Sequence, residues 1–315
     1  MRKQLVVTCS ERYIKIWNYA TRSLEIQMQT QVGEEMNAVA FHPSGFHIVV
    51  AYADKVVMMN VLSNSIKEFN TFQNLKGCRD IRFSNGGHYF ACGLTQGAVH
   101  IFNFYTGECP QNMLCKGHVS KVRALEWFAD DMGFASAAMD GNCFFYDLQA
   151  AKESGSGQRN NERDFNQKGV NWSGMCLIPD MDYECLAVGS DRKVWMSKEK
   201  KYIDTKRQLS QIQIMANAKT FFAGVGEEGK PGSIEIWRLP LERKYEVQAH
   251  SGPIERMRIS HDNQFLFTSG RDGSMMMFEI KDKDMLRGGA GRKFEGIANF
   301  SEEILTEKTE MDQYE

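Results

Sequence analysis

Apolar positions in this chain come in short runs that follow tight turns, alternate with polar residues and end on a bulky side chain. The runs are IKIW ending at Trp17, VVMM at Met59, VHIF at Phe102, CFFY at Tyr146, KVWM at Met196, IEIW at Trp237 and MMMF at Phe278. Successive ends lie 42, 43, 44, 50, 41 and 41 residues apart. Alternation such as Ile14/Ile16 or Ile234/Ile236 is the period-2 signature of strands. No segment before residue 300 carries a helical period.

A second landmark keeps the same step. FHPSG (41–45), FSNGG (83–87), FADD (128–131), IPDMD (178–182), MANAK (215–219) and ISHDN (259–263) are turn-rich clusters, each between two strand-like runs. Every unit therefore reads strand, turn, strand, turn, strand, then a loose fourth strand. A four-stranded unit of roughly 40–45 residues is the blade of a β-propeller. One blade cannot bury both faces of its sheet, whereas a ring of blades buries them and leaves only short edges. The expected fold is all-β: a seven-bladed propeller over 1–300 with an insertion loop at 150–168. Only four residues precede Leu5, so the first blade is expected to be incomplete, lacking its innermost strand unless upstream sequence or another chain supplies it. The last unit has spare sequence, RKFEGIANF at 292–300, for an outer strand.

Composition narrows the function classes. Lysine and arginine total 38 against 40 acids, a net charge of −2, so no global field draws the chain to nucleic acid. The run Leu5–Val7 is too short for a signal peptide and Ile48–Ala53 too short to span a bilayer, so no membrane association is expected. Eight cysteines, none in C-x-x-C, sit in strand-like runs as buried thiols would.

GVGEEGKPGS (224–233) fits the first half of a phosphate loop and then fails it. Pro231 stands where a magnesium-binding hydroxyl belongs, Glu227 and Glu228 repel phosphate, and a strand follows instead of a helix N-terminus. The stretch reads as an enlarged hairpin. The seven histidines lack cysteine or carboxylate clusters at ligand spacing, and no G-x-S-x-G occurs. No catalytic residue, metal site or cofactor is expected, and the protein is read as non-enzymatic.

Two units carry stronger spelling: KGHVSKVRALEWFADDMGFASAAMDGNCFFYD (116–147) and QAHSGPIERMRISHDNQFLFTSGRDGSMMMFE (248–279). Each has a histidine before the first strand, a small hydroxyl in the second and Asp-Gly in the next turn. They resemble the WD-repeat family, in which His, Ser/Thr, Asp and Trp form a hydrogen-bonded chain within a blade. The resemblance implies that His118, Ser136 and Asp140, and His250, Thr268 and Asp272, are structural staples. Tyr146 and Phe278 replace the tryptophan, so neither chain is complete.

A narrower resemblance rests on HPSGFHIVVAYADK (42–55), SNGGHYFA (84–91), QAHSGPI (248–254) and EEILTEKTEM (302–311). These are similar to the family of cilia- and flagella-associated protein 57, WD-repeat proteins of motile cilia in which paired propellers precede a long coiled coil. The resemblance implies a structural scaffold of the axoneme, within the cytoskeleton of the cilium. Its implied partners are axonemal proteins, namely inner-arm dynein and regulatory complexes on doublet microtubules. The alternative is a general cytosolic WD-repeat adaptor.

Two surface features remain. Lys198, Lys200, Lys201, Lys206 and Arg207 cluster on an outer hairpin, a solvated edge or a contact for an acidic polymer such as tubulin. In the tail, Ser301 is a good N-cap and Glu302 and Glu303 suit a helix N-terminus. Ile304, Met311 and Tyr314 share one face, so 301–315 is expected to be a short C-terminal helix that begins a coiled-coil arm with a partner of its own.

Overall fold

The computed structural model describes residues 4–31, 33–73, 75–110, 113–148, 158–160, 162–179, 181 and 183–281. Within them the chain forms seven antiparallel sheets in sequence order. Blade 1 is β1 (Leu5–Cys9), β2 (Tyr13–Asn18) and β3 (Ser23–Gln29). Blade 2 is β4 (Met36–Phe41), β5 (His47–Tyr52), β6 (Lys55–Val61) and β7 (Ile66–Gln73). Blade 3 is β8 (Cys78–Phe83), β9 (Tyr89–Leu94), β10 (Val99–Asn103) and β11 (Leu114–Cys115). Blade 4 is β12 (Val122–Trp127), β13 (Gly133–Ala138), β14 (Asn142–Asp147), β15 (Gln158–Arg159) and β16 (Phe165–Asn166). Blade 5 is β17 (Trp172–Leu177), β18 (Cys185–Gly189), β19 (Lys193–Met196) and β20 (Lys201–Asp204). Blade 6 is β21 (Leu209–Ile214), β22 (Thr220–Val225), β23 (Gly232–Arg238) and β24 (Glu242–His250). Blade 7 is β25 (Ile254–Ile259), β26 (Phe265–Gly270) and β27 (Met275–Glu279).

The alternating pattern sets which faces pack. A sheet buried on both faces needs apolar residues on both, and the second strands oblige: β13 is buried at every position from Gly133 to Ala138. Apolar clusters lie between blades. Ile14 and Ile16 of blade 1 meet Ile48, Val50 and Met59 of blade 2. Val49 and Met58 of blade 2 meet Ile81, Phe90 and Phe102 of blade 3. Comparable clusters join blades 3 and 4, 4 and 5, 5 and 6, and 6 and 7. Between blades 7 and 1 the Tyr19 ring packs on Phe265 and Phe267, with centroids 5.6 and 5.3 Å apart.

The turn clusters seen in the sequence tie blade to blade. His42 Nε2 lies 3.1 Å from the Gly87 carbonyl, and a Cβ on Gly87 would collide with that ring at 2.4 Å. Asp131 accepts from the backbone N–H groups of Asn85 (2.7 Å) and Gly86 (2.6 Å), and Asn263 from that of Ala216 (3.1 Å).

In blade 1, β1 corresponds to the second strand of the other blades and pairs, among the described residues, with β2 alone. The proposed strand at 292–300 and helix at 301–315 lie outside the described residues. The expectation of a plain loop at 150–168 needs correction. β15 and β16 both pair with β14, completing the outer edge of blade 4. Phe165 is buried between Trp172 and Trp195 (5.7 and 5.8 Å), which gives this polar segment an anchor. GVGEEGKPGS joins β22 to β23 as a hairpin, with Glu227 paired to Lys230 (2.9 Å) and Arg192 (3.1 Å).

Candidate functional site

The two strongly spelled blades each bring their three polar residues together. In blade 4, His118 precedes β12, Ser136 sits inside β13 and Asp140 opens the turn to β14. His118 Nδ1 lies 3.1 Å from Asp140 Oδ2, and Nε2 lies 2.8 Å from Ser136 Oγ. A carboxylate only accepts, so Nδ1 is the donor of that pair. Asp140 also accepts from the N–H groups of Val119 and Asn142, both at 3.0 Å. Burial works to raise its carboxyl, but the His118 hydrogen bond and charge and the two N–H donors outweigh it and hold the group at about 2. Gly141 has φ near +80°, and a Cβ there would sit 2.2 Å from the Gln167 carbonyl, so the Asp-Gly spelling is required at this turn.

Blade 7 repeats the arrangement. His250 Nε2 lies 2.8 Å from Thr268 Oγ1, while Nδ1 lies 2.8 Å from Ser274 Oγ and 3.3 Å from Asp272 Oδ1. Asp272 accepts from the N–H groups of Ser251 (2.9 Å) and Ser274 (3.0 Å) and from the Ser274 hydroxyl (2.7 Å), and that hydroxyl leads in pulling its carboxyl well below the usual range. At the family's tryptophan place stands the buried Tyr146, whose hydroxyl faces Ser136. These groups are bonded inward, toward the turns they close.

Sequence reasoning missed how blades 1, 5 and 6 each satisfy one tryptophan. Trp17 Nε1 donates to Thr8 Oγ1 (3.1 Å), Trp195 to Asp191 Oδ2 (2.6 Å) and Trp237 to Glu235 Oε2 (3.1 Å). Burial lifts the Glu235 carboxyl against the pull of Arg243, which lies 3.0 Å away. An acid or hydroxyl two to nine residues from each tryptophan was the only signal, and it is not distinctive.

The basic hairpin is divided by the structure. Lys198, Lys200 and Lys201 are exposed around the β19–β20 turn, with Lys201 paired to Glu199 at 2.7 Å. Lys206 is exposed beyond the far end of β20. Arg207 turns toward blade 6, 2.9 Å from Glu246 and 3.2 Å from Ser233 Oγ, and is not part of the exposed patch. Lys193 lies over the Tyr202 ring, 3.8 Å from its centroid. Among the described residues no group of three or more His, Cys, Asp or Glu side chains is placed to hold a metal ion, and no helix is long and apolar enough to cross a membrane.

Comparison with known proteins follows this geometry. The family model for the WD domain, G-beta repeat, matches residues 107–147 and 241–279, which contain the two His–Asp turns. The chain is 34% identical over 99% of its length to cilia- and flagella-associated protein 57 of Mus musculus, covering 24% of that protein. It is 35% identical over 90% of its length to cilia- and flagella-associated protein 57 A of Tetrahymena thermophila, again covering 24%. Echinoderm microtubule-associated protein-like 4 of Xenopus tropicalis is 21% identical over 89% of the chain, which covers 28% of it. Among solved structures, a chain of the mitotic checkpoint complex crystal structure superposes with a TM-score of 0.74 at 18% identity, over 88% of this chain and 84% of that one, a likeness of fold. The chain thus spans about a quarter of the length of the cilia- and flagella-associated relatives it matches. It is a seven-bladed propeller with WD-repeat matches around blades 4 and 7, similar over nearly its whole length to a segment of cilia- and flagella-associated protein 57.

Proposed function

We propose that this propeller is a non-catalytic anchor on the axoneme of a motile cilium, where it helps place inner dynein arms and regulatory complexes on doublet microtubules. The observation that carries the reading is the identity of about one third with proteins named for cilia and flagella, sustained along 99% of the chain in the mouse comparison. The geometry supports a scaffold. The histidines and aspartates of blades 4 and 7 are spent on closing turns, which leaves the rigid ring and its loops as the surface that partners meet. In this reading His118, Ser136, Asp140, His250, Thr268 and Asp272 hold blades in shape, and the exposed lysines 198, 200, 201 and 206 form a contact for acidic tubulin. The name of the microtubule-associated relative agrees with that contact.

Residues 301–315 complete the proposal as the start of a coiled-coil arm that reaches from the anchor to dynein-associated partners. A helix of that length is marginal alone in water, so it depends on docking or on continuing into a longer coil. The test is severance at residue 301 in ciliated cells lacking the protein. The shortened protein is expected to fold and reach the cilium without restoring inner arms, as seen by electron microscopy. Normal inner-arm assembly would overturn the arm and leave the propeller as the functional part.

A further inference from the structure

The first strands of blades 2 to 7 carry five arginines against three acids, Asp80, Glu126 and Glu255. Arg79 is the second residue of β8, Arg123 the second of β12 and Arg256 the third of β25. Each lies where its strand enters the central channel, at the end facing the same side as the His118–Asp140 and His250–Asp272 turns. The three converge although blade 7 stands across the ring from blade 3. Arg256 Nη2 donates to the Arg79 carbonyl at 2.9 Å, and Arg79 Nη1 to Asn37 Oδ1 of blade 2 at 2.7 Å. In β12 the register shifts between Val122 and Ala124, so Arg123 is the bulged residue of its strand.

The nearest acids, Glu255 and Asp80, act on Arg123 and are shared with other arginines. Glu255 pairs with Arg271 at 3.0 Å. Deeper in the channel Glu126 pairs with Arg82, and Asp80 accepts from the Leu125 N–H (3.0 Å) and faces Arg258 at 3.6 Å. Arg79 and Arg256 therefore bond to an amide and to carbonyls, not to carboxylates, and Arg123 makes no hydrogen bond or ion pair among the described residues. Burial and then the charges of Arg256 and Arg79 push the Arg123 guanidinium down from its usual range, against the pull of Glu255 and Asp80. Blades 5 and 6 fill the bulged place of Arg79 and Arg123 with hydroxyls that close it, Ser173 Oγ donating to the Leu209 carbonyl (2.8 Å) and Ser210 Oγ to that of Ile254 (2.5 Å). Blade 7 has Glu255 there, followed by Arg256.

We propose that the channel mouth lined by Arg79, Arg123 and Arg256 is a docking site for an acidic peptide, whose aspartate or glutamate carboxylates the three guanidiniums receive. Guanidinium is the planar donor suited to bidentate carboxylate bonds, and bonds between charged partners are about twice as strong as neutral ones. A polypeptide is favoured over nucleic acid because the chain as a whole carries a net charge of −2. The site is separate from the lysine turn at Lys198–Lys201 and does not depend on where in the cell the protein resides.

The test is fluorescence anisotropy of a labelled hexaglutamate peptide titrated with the 315-residue chain at low salt, compared with variants. Saturable binding is expected, and Arg79→Glu with Arg123→Glu should weaken it at least about tenfold. The melting transition reports whether that pair still folds. If it does not, Arg79→Gln with Arg123→Gln decides in its place. Replacement of Lys198 and Lys200 by Glu should leave peptide affinity within about twofold. Three results would overturn the proposal: unchanged affinity in the folded arginine variant, loss of binding in the lysine variant, or equal competition from an oligouridylate of the same charge.

Discussion

Blades 4 and 7 are spelled alike and packed differently. In both, a histidine bridges an Asp-Gly turn and a hydroxyl on the second strand, with the Nε2-to-oxygen distance at 2.8 Å in each. Yet Cys143–Tyr146 of β14 are fully buried, while Met275–Phe278 of β27 are only half-buried. Blade 4 has β15 and β16 outside it and full clusters toward blades 3 and 5. Blade 7 has three described strands and meets blade 1 through Tyr19. The polar motif thus shapes a turn locally, whereas burial depends on what stands on either side, as expected of units stabilised largely by their neighbours.

The largest expected effect tests that packing difference. Tyr146→Ala removes a fully buried ring and should cost roughly 3–5 kcal/mol, against about 1–2 for Phe278→Ala at the half-buried equivalent in blade 7. Urea unfolding of the two variants measures both, and equal losses would break the comparison. Next come the histidines. His118→Ala and His250→Ala each leave a hydroxyl and a carboxylate short of a partner, costing about 1–3 kcal/mol apiece. If the motif acts locally, the two losses agree to within about 0.5 kcal/mol despite the different packing.

Acid sharpens the comparison further. Asp140 titrates at about 2 in the folded protein, below the ordinary carboxylate value of 3.8. Its contribution is complete above that value and is lost as pH falls through about 2. His42, at the joint of blades 2 and 3, is lowered to about 4, first by burial and then by His47. The unfolded chain takes up that proton first, so its contribution is whole above 6.5 and falls away between 6.5 and about 4. Hydrogen exchange resolved by blade should therefore show the blade 2–3 joint loosening between pH 6.5 and 4, with the blade 4 turn following only below about pH 4. The smallest effect concerns the insertion. Removing 150–157 should shift the unfolding midpoint by less than about 0.5 kcal/mol, provided β15, β16 and Phe165 are kept.

The period, the turn clusters and the His–Asp pairs were legible because each is written within about 40 residues of chain. The division of the basic hairpin was not, because Glu246, which turns Arg207 away, lies 39 residues downstream in the next blade. The channel arginines were missed for the same reason: Arg79 and Arg256 meet across 177 residues. β15 and β16 escaped because two-residue strands show no alternation, and only Phe165 hinted at burial in a polar segment. The tail from 282 onward lies outside the described residues, so the arm at 301–315 stands on its spelling alone.

The central claim is that the propeller itself anchors to the axoneme. A tagged chain ending at residue 300, expressed in ciliated cells and followed through detergent extraction, tests it directly. The account predicts that the tag stays with the demembranated axonemes at a fixed ratio to tubulin. Complete release into the soluble fraction, with the propeller still folded, would contradict it.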